Sequence, residues 1–259
     1  MEIEFDLNKS VEENASKYFE ESKKAKRKLE GAKKALADTK KKLELLLKQE
    51  SKFLEEQAEK LVKKEKKREW YEKFHWFISS ERFLCLGGKD ATSNELVIKK
   101  HTDKNDLVLH TDMAGSPFFV IKNGQEAGEQ TVKEAAQAVA VYSRAWKLWH
   151  TSADVFYVKP EQVTKEAKPG EYIPKGSFMI YGKTQYLHPK LEYAIGLIGE
   201  EIIGGPKSAV EKQTKNLILV IPGKENKGAL AKKIKHQLKG GDLDDIAKFL
   251  PAGGAEIKK

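Results

Sequence analysis

The chain contains no proline before Pro117, and the leucines of its first 61 residues recur at helical spacing. One series repeats every seven residues from Leu29 to Leu43, and a second runs from Leu47 to Leu61 with the same period. A seven-residue leucine repeat in a segment rich in lysine and glutamate is typical of a coiled-coil helix. The sequence therefore predicts a helical arm over residues 8 to about 78.

The two leucine series are offset by four residues, which leaves two interpretations of the arm. The offset marks either a stutter in one long coiled coil or the point at which the helix doubles back. Residues 48–51 are polar, and Ser51 could cap a second helix, as Asn8 or Ser10 could cap the first. We favour an antiparallel hairpin that turns near residues 47–52, because an isolated helix would expose its leucines to water.

Lysine runs follow one another along the arm. The last run, KKEKKR at residues 63–68, contains a single glutamate, so its charge is not balanced locally. Such a run is usually a solvated helix face, but it could also follow an RNA backbone. The arm residues that we select as ribosome or RNA contacts are Lys63, Lys64, Lys66, Lys67 and Arg68.

Residues 94–122 predict three short strands, at Asn94–His101, Asp106–Thr111 and Pro117–Lys122. Each is a run of Val, Ile, Leu or Phe bounded by Gly, Asn, Asp or Pro. The turn before the third strand contains Ala114, Gly115 and Ser116, and small residues let a backbone or a phosphate come close. The alternative is an ordinary meander with a tight turn.

Aromatic residues and a second amphipathic segment complete the predicted elements. Trp70, Phe74 and Phe77 share one helical stripe. This spacing favours a core where the arm enters a globular domain over the alternative of base-stacking platforms. Gln130–Trp149 predicts a helix capped by Thr131, and its last turns carry Trp146 and Trp149 among basic residues. The glycine-rich tail after residue 251 predicts disorder.

Composition narrows the range of partners. The net charge is +9 with 34% charged residues, which favours a polyanionic partner, although a lysine-rich surface kept for solubility gives the same surplus. The one cysteine, Cys85, lies in an apolar strand as buried filler and fits a reducing cytoplasm. We expect no membrane span, because the sequence has no window of about eighteen apolar residues. We also expect no metal, cofactor or catalytic residue, because the sequence lacks metal-ligand spacings and nucleotide-binding fingerprints.

Four ordered blocks resemble the RNA-binding half of the NFACT family. They read WYEKFHWFISSERFLCLGGKDATSNELVIKK, DLVLHTDMAGSPFFVIK, TVKEAAQAVAVYSRAW and EQVTKEAKPGEYIPKGSFMIYGK. The family contains the ribosome quality-control factor NEMF, its yeast counterpart, bacterial alanine-tailing factors and archaeal relatives. The WYEKF and GSFMI segments are most similar to the archaeal or eukaryotic branch.

The resemblance implies a factor that binds stalled large ribosomal subunits and tRNA and supports untemplated alanine tailing of nascent chains. Peptide-bond formation would then belong to the ribosome, and this chain would not be an enzyme. Family members begin with a large N-terminal domain and a helix-hairpin-helix element, which this sequence does not include. We therefore expect a fragment or a split protein, with the N-terminal NFACT half as a possible partner beside ribosomal RNA and tRNA.

The resemblance also gives candidate RNA-binding residues in its most distinctive blocks. We expect the strand-end residues among them to converge on one basic concave surface, with His110 and Ser116 donating to a phosphate or a 2′-hydroxyl. The full set is Lys99, Lys100, His101, His110, Asp112, Ser116, Lys122, Arg144, Lys147, Gln162 and Lys165.

The predicted fold class is α+β: a long helical coiled-coil hairpin arm, then a mixed, mainly antiparallel β-sheet domain with flanking helices. The expected divisions are an arm at 1–69, an RNA-binding domain at 70–190 and a C-terminal α/β extension at 191–259 packed on the same core. Two rival functions stay open. One is a nucleic-acid-processing enzyme that uses His110, Asp112 and Ser116, and the other is a structural coiled-coil adaptor.

Overall fold

A computed structural model describes residues 4–64, 69–166 and 172–258, with side chains of the first range described up to residue 54. The chain divides into two compact units, Met1–Arg68 and Glu69–Lys259. The first is helical, and the second combines antiparallel sheets with flanking helices. The predicted α+β class is confirmed, whereas the division at residues 190 and 191 stays a prediction.

The first unit is built on one helix, α1 (Val11–Lys64). Ser10 caps it, as the sequence allowed: Ser10 Oγ accepts from the Glu13 N–H at 3.2 Å. The Glu13 carboxylate in turn accepts from the Ser10 N–H at 2.9 Å. This reciprocal pair satisfies two backbone donors at a helix start that would otherwise lack partners.

The predicted hairpin is wrong, because α1 passes through residues 47–52 without a break. Ser51 does not cap a second helix; its hydroxyl donates to the Lys48 carbonyl oxygen at 3.2 Å inside the helix. Lysine, glutamine and glutamate are all good helix formers, so this polar stretch gives the chain no reason to turn. The leucines of the stripe up to Leu54, including Leu29, Leu36 and Leu43, remain more than half exposed.

The second unit is organised on a six-stranded antiparallel sheet. Its strands are β1 (His75–Ile78), β2 (Leu84–Gly87), β3 (Leu107–Thr111), β4 (Phe119–Ile121), β5 (Val155–Val158) and β8 (Gln185–Leu187), and a separate two-stranded sheet is formed by β6 (Val163–Thr164) and β7 (Met179–Ile180). The six strands lie in the order β1-β2-β4-β3-β5-β8. Strand β3 is central, pairing with β4 on one side and β5 on the other.

Residues 94–101 form a helix and not the predicted strand. Helix α2 spans Ala91–Lys100, and Asp90 caps it, its carboxylate accepting from the Ser93 N–H at 2.8 Å. Ser93 completes a capping box by accepting from the Asp90 N–H. Asn94 and Val97, three residues apart, are the side chains that α2 buries. The buried residues of this stretch are therefore spaced as on one face of a helix and do not alternate as in a strand.

The second predicted helix is shorter and starts differently. Helix α3 (Glu129–Tyr142) begins after Gly128, and a separate turn, α4 (Arg144–Lys147), follows a break at Ser143. Thr131 does not cap α3; its hydroxyl lies buried within hydrogen-bonding distance of Ser79 and Glu81. These contacts with the β1–β2 turn satisfy the hydroxyl inside the domain.

The six-stranded sheet buries both of its faces. On the first face, Leu109, Phe119 and Ile121 pack with residues of α3 in one large apolar cluster. On the second face, Leu86, Val108 and Val120 pack with Val97 of α2, and Phe178 and the strands β6 and β7 add partly buried residues. Helix α2 and helix α3 therefore cover opposite faces of the sheet.

A four-stranded antiparallel sheet in the order β10-β9-β11-β12 forms the rest of the unit. The predicted disordered tail is wrong, because Ala255–Ile257 pairs with β11, with Val220 opposite Ile257. Within the described ranges, each helix is too short or too polar to cross a membrane. The elements are β9 (Tyr193–Ile198), β10 (Glu201–Gly205), α5 (Lys207–Glu211), β11 (Leu217–Glu225), α6 (Lys227–Leu238), α7 (Leu243–Phe249) and β12 (Ala255–Ile257).

Candidate nucleic-acid interface

The C-terminal end of α2 carries exposed positive charge. Lys99 and Lys100 occupy its last turn, and the His101 N–H closes the helix by donating to the Val97 carbonyl oxygen at 3.1 Å. Lys99 lies 3.2 Å from Glu95, one turn earlier, in an ion pair whose lysine is about half exposed and whose carboxylate is mostly buried. Because the helix C-terminus bears partial negative charge, it stabilises two ammonium groups at this position.

An aromatic stack adjoins this charge. Trp70 lies nearly parallel to the His101 imidazole, with 4.6 Å between ring centroids and 18° between planes. Phe74 is buried and meets His101 edge-on at 5.3 Å. The predicted helical stripe of Trp70, Phe74 and Phe77 is wrong: residues 70–73 form a 3-10 turn, Phe77 lies in β1, and Trp70 is 46% exposed.

The protonation of the His101 imidazole is affected both by burial and by nearby lysines. Burial lowers its pKa first, and the ammonium groups of Lys73, Lys122 and Lys100 lower the pKa further, with Asp103 opposing them. The ring is therefore neutral at pH 7, and the charge beside it comes from lysines. We call the exposed group made by Trp70, Lys73, Lys99, Lys100 and His101 the α2-end cluster.

Lys122 is next to this cluster but has internal partners. Its ammonium lies 2.5 Å from Asp106 and 2.7 Å from Asp103, and it donates to the His101 carbonyl oxygen at 3.0 Å. Asp106 is fully buried and also accepts from the Asn123 N–H at 2.8 Å. Lys122 thus connects the end of β4 to the loop after α2 through these hydrogen bonds and ion pairs.

His110 and Ser116 are also engaged inside the domain. The His110 ring stacks on Phe118 at 4.0 Å, and its Nε2 lies 3.1 Å from the Ser116 carbonyl oxygen. Burial lowers the pKa of His110, and the Ser116 contact opposes this effect. The buried Ser116 hydroxyl accepts from Thr111 at 2.6 Å. These contacts direct both side chains toward protein partners, so the expected donation to RNA stays a prediction.

Lys165 and Gln162 brace the β6–β7 segment. The Lys165 ammonium lies 2.9 Å from Glu95 of α2 and donates to the Pro174 and Ser177 carbonyl oxygens at 2.8 and 2.9 Å. The Gln162 side-chain amide donates to the carbonyl oxygens of Tyr181 and Lys183. Both side chains therefore satisfy backbone carbonyl groups of later residues, and Lys165 also joins this segment to α2 through Glu95.

Arg144 and Lys147 are exposed on the opposite side of the sheet from α2. They belong to α4, whose other residues, Ala145 and Trp146, join the apolar cluster of the α3 face. The Trp146 indole N–H donates to the Gly254 carbonyl oxygen at 3.0 Å, whereas Trp149 is 49% exposed. The structure therefore brings Lys99, Lys100 and His101 together and separates Arg144 and Lys147 from them.

The residues of the rival enzyme hypothesis have separate partners. Asp112 accepts from the Tyr186 hydroxyl at 3.2 Å, and His110 faces the carbonyl oxygen of Ser116 and not its hydroxyl. A nucleophile and its base need a direct hydrogen bond, which this arrangement does not provide. In the part of the chain that the structure describes, no three His, Cys, Asp or Glu residues come together as a metal site.

The arm contacts selected from the sequence cannot be placed. The side chains of Lys63 and Lys64 lie outside the described residues, and so do Lys66, Lys67 and Arg68 altogether. In the second unit, sequence reasoning missed Trp70 and Lys73 as members of the cluster. A tryptophan three residues before a lysine, just ahead of the first strand, was the signal that could have identified them.

Comparisons with known proteins converge on one family. Residues 73–182 match the family described as "NFACT protein RNA binding domain". The Archaeal Rqc2 homolog aRqcH of Methanocaldococcus jannaschii is 42% identical over 211 residues, covering 78% of this chain and 31% of the relative. The human Ribosome quality control complex subunit NEMF is 37% identical over 182 residues, covering 68% of this chain and 16% of the relative.

A bacterial relative, the Rqc2 homolog RqcH of Bacillus subtilis, is 34% identical over 128 residues, covering 47% of this chain and 21% of its own. The chain therefore spans less than a third of the length of each of these three relatives. The α2-end cluster, apart from Trp70, falls within the matched residues 73–182.

Proposed function

Because the chain belongs to the NFACT family, as its motifs predicted, we propose that it is the RNA-contacting part of a ribosome-associated quality-control factor. The observation that carries the proposal is the α2-end cluster. It places three lysines and an aromatic stack on one exposed surface of an NFACT RNA-binding domain. Lysines supply the phosphate contacts that dominate affinity for nucleic acids.

The finer function that we propose is binding to ribosomal RNA of the large subunit and to tRNA, in support of untemplated alanine tailing. The relatives are named as ribosome quality control subunits or as Rqc2 homologues, which supports a ribosomal setting in the cytoplasm. We assign the chemistry of tailing to the ribosome and positioning to this chain. Lys63, Lys64, Lys66, Lys67 and Arg68 remain proposed contacts of the arm.

Within the second unit, we narrow the proposed RNA surface to the exposed cluster. Lys122 supports the cluster by donating to the His101 carbonyl oxygen. Lys165, Gln162 and His110 are left out of the proposed surface, because they are only partly exposed and their polar atoms have protein partners. Arg144 and Lys147 would contact RNA only from the other side of the sheet. The exposed leucine stripe of α1 suits a second helix, for which the N-terminal NFACT half is our proposed source.

Binding of the chain to tRNA and to a single-stranded RNA is expected to weaken steeply as salt rises. Each phosphate that a lysine neutralises should contribute about −0.7 to −0.9 to the slope of log affinity against log salt. Fluorescence anisotropy between 50 and 300 mM salt, which are roughly the conditions where counterion release dominates, measures this slope.

Two observations would contradict this proposal or favour another function. An affinity that stays flat over the salt range would contradict the proposal, and a tight salt-insensitive protein partner would favour the adaptor. Gel analysis of the same labelled RNA after incubation tests the enzyme hypothesis. Intact RNA agrees with a binding factor, whereas cleaved or modified RNA would support a processing enzyme.

A further inference from the structure

Trp70 is a large aromatic side chain that the domain holds in place without burying it. One side of its ring system rests on His101, and Tyr71 stands nearly perpendicular to it at 5.7 Å. The side chain is nevertheless 46% exposed. Burying a tryptophan is strongly favourable, so an indole kept half in solvent is available for another planar group.

The support beneath the indole is rigid. The His101 backbone closes α2, and buried Phe74 packs edge-on against the imidazole, so the ring under Trp70 is fixed from two directions. Trp70 itself lies in a 3-10 turn that is closed by reciprocal contacts between Glu69 and Glu72 and by the Phe74 N–H, which donates to the Tyr71 carbonyl oxygen at 2.9 Å. A fixed aromatic surface loses little conformational entropy when a ligand stacks on it.

The charges around the indole indicate the kind of planar group. Lys73, three residues after Trp70, lies with its ammonium 5.0 Å from the centre of the Phe74 ring. Lys73 and Lys100 both act electrostatically on His101, the ring on which Trp70 stacks. Lys73 and Lys100 therefore place positive charge beside the aromatic stack, where the phosphates of a stacked base would need it. The carboxylates of the same turn, Glu69 and Glu72, accept from each other's backbone N–H groups.

We propose that Trp70 is a stacking platform for an unpaired nucleobase of single-stranded RNA, whose flanking phosphates contact Lys73, Lys99 and Lys100. This inference rests on the proposed RNA-binding function and adds that the RNA bound at this site is single-stranded. A base within a duplex is already stacked on its neighbours and cannot reach the indole, so single strands, loops and unpaired ends are selected. Stacking is tolerant of sequence, because each base presents a π face.

The test compares Trp70→Ala with Trp149→Ala in the full chain. Trp149 is a matched control, because it is 49% exposed but lies after α4, on the opposite side of the sheet. Trp70→Ala should weaken binding of a fluorescein-labelled 12-nucleotide single strand by about 5- to 150-fold, the range expected when one base–aromatic stack is removed. Trp149→Ala should leave affinity within about twofold of the parent, because it removes no stacking interaction.

Two further readouts separate stacking from other roles. The salt slope of Trp70→Ala should equal that of the parent, since the indole neutralises no phosphate. Affinity for a duplex of the same sequence should also be unchanged. Trp70→Tyr should retain most of the affinity, because a smaller aromatic ring can still stack.

A fluorescence measurement keeps the test decisive if Trp70→Ala fails to fold. In a Trp149→Phe background, the single strand should quench the exposed tryptophan emission, and adding Trp70→Phe should abolish the quenching. Parent-like affinity in Trp70→Ala, or equal reductions in Trp70→Ala and Trp149→Ala, would overturn the inference while leaving RNA binding intact. Absence of RNA binding by the parent chain would instead overturn the proposed function.

Discussion

Asp106→Ala is expected to lower the free energy of unfolding of the second unit by about 3–5 kcal/mol, the usual cost of breaking a buried ion pair. The Asp106 side chain is 0% exposed, and its carboxylate accepts from Lys122 at 2.5 Å, from the Asp103 N–H at 2.7 Å and from the Asn123 N–H at 2.8 Å. Its removal leaves a mostly buried ammonium, 20% exposed, whose remaining carboxylate partner is the exposed Asp103 and whose other acceptor is the neutral His101 carbonyl oxygen.

Urea denaturation followed by circular dichroism measures this destabilisation. Asp103→Ala is the matched control, because Asp103 contacts the same lysine but its side chain is 80% exposed. A solvent-exposed ion pair contributes at most about 1 kcal/mol to the free energy of unfolding, so Asp103→Ala should change stability little. Lys122→Ala should resemble Asp106→Ala. If Lys122→Ala instead weakened RNA binding without reducing stability, Lys122 would be an RNA contact, as the sequence suggested.

Acidification from pH 7 to pH 5 is expected to destabilise the second unit by about 2 kcal/mol through His75 alone. Its ring stacks on Tyr142 at 3.7 Å. Burial, followed by the charges of Lys89 and Lys227, lowers the pKa of His75 from its ordinary value of 6.5 to about 3. Between these two values the unfolded chain binds a proton that the folded chain does not, so stability present above pH 6.5 is lost as the pH falls.

Unfolding by urea at pH 7 and pH 5 tests this expectation, with His75→Phe as the comparison. Phenylalanine keeps a ring against Tyr142 but cannot titrate, so the variant should lose most of the pH dependence. The remainder would come from His101 and His110, whose pKa values burial also lowers. Glu95, with its pKa lowered to about 2, affects stability only below its ordinary value of 4.5. Equal pH dependence in parent and variant would disprove the role of His75.

The helix at residues 91–100 shows how two local signals can compete within one stretch of sequence. Val97 and Ile98 are β-branched, and such residues favour strands. The Asp90 and Ser93 pair is a helix start signal, and it outweighs that preference once Asn94 and Val97 point to the same face. Strands β3 and β4 were predictable because their apolar runs are short and bounded by turns. Strand β1, in contrast, lies inside the segment that the sequence predicts as the end of the helical arm, and that prediction is wrong.

In the arm, local helix propensity outweighs the cost of exposing leucines to water, which is why the predicted hairpin is wrong. Nothing between Leu43 and Leu54 disfavours helix, and the continuous α1 follows from that local composition. A hairpin would bury these leucines, but in the structure they are exposed along a continuous helix. An apolar stripe on a helix indicates that another surface packs against it, but it does not identify the segment that does so.

The candidate site was predictable to the extent that its residues are close in sequence. Lys99, Lys100 and His101 follow from one motif and lie together at the end of α2. The buried pairing of Lys122 with Asp106 joins residues on different elements, and no spacing rule exposes it. A basic residue in a family motif can therefore stabilise the fold beneath a site as well as contact the ligand.

The most direct test of RNA binding by the α2-end cluster is a comparison of two triple variants with the same charge change. In one, Lys73, Lys99 and Lys100 become Gln; in the other, Lys212, Lys215 and Lys232, which are exposed residues of the C-terminal part, become Gln. The first should weaken binding of the single-stranded 12-mer by about 10- to 100-fold and reduce the salt slope by about 0.7 for each phosphate that is no longer neutralised. The second should stay within about threefold of the parent, reflecting only the change in net charge. Equal reductions in affinity in both variants, or parent-like binding by the first, would contradict a site at the end of α2.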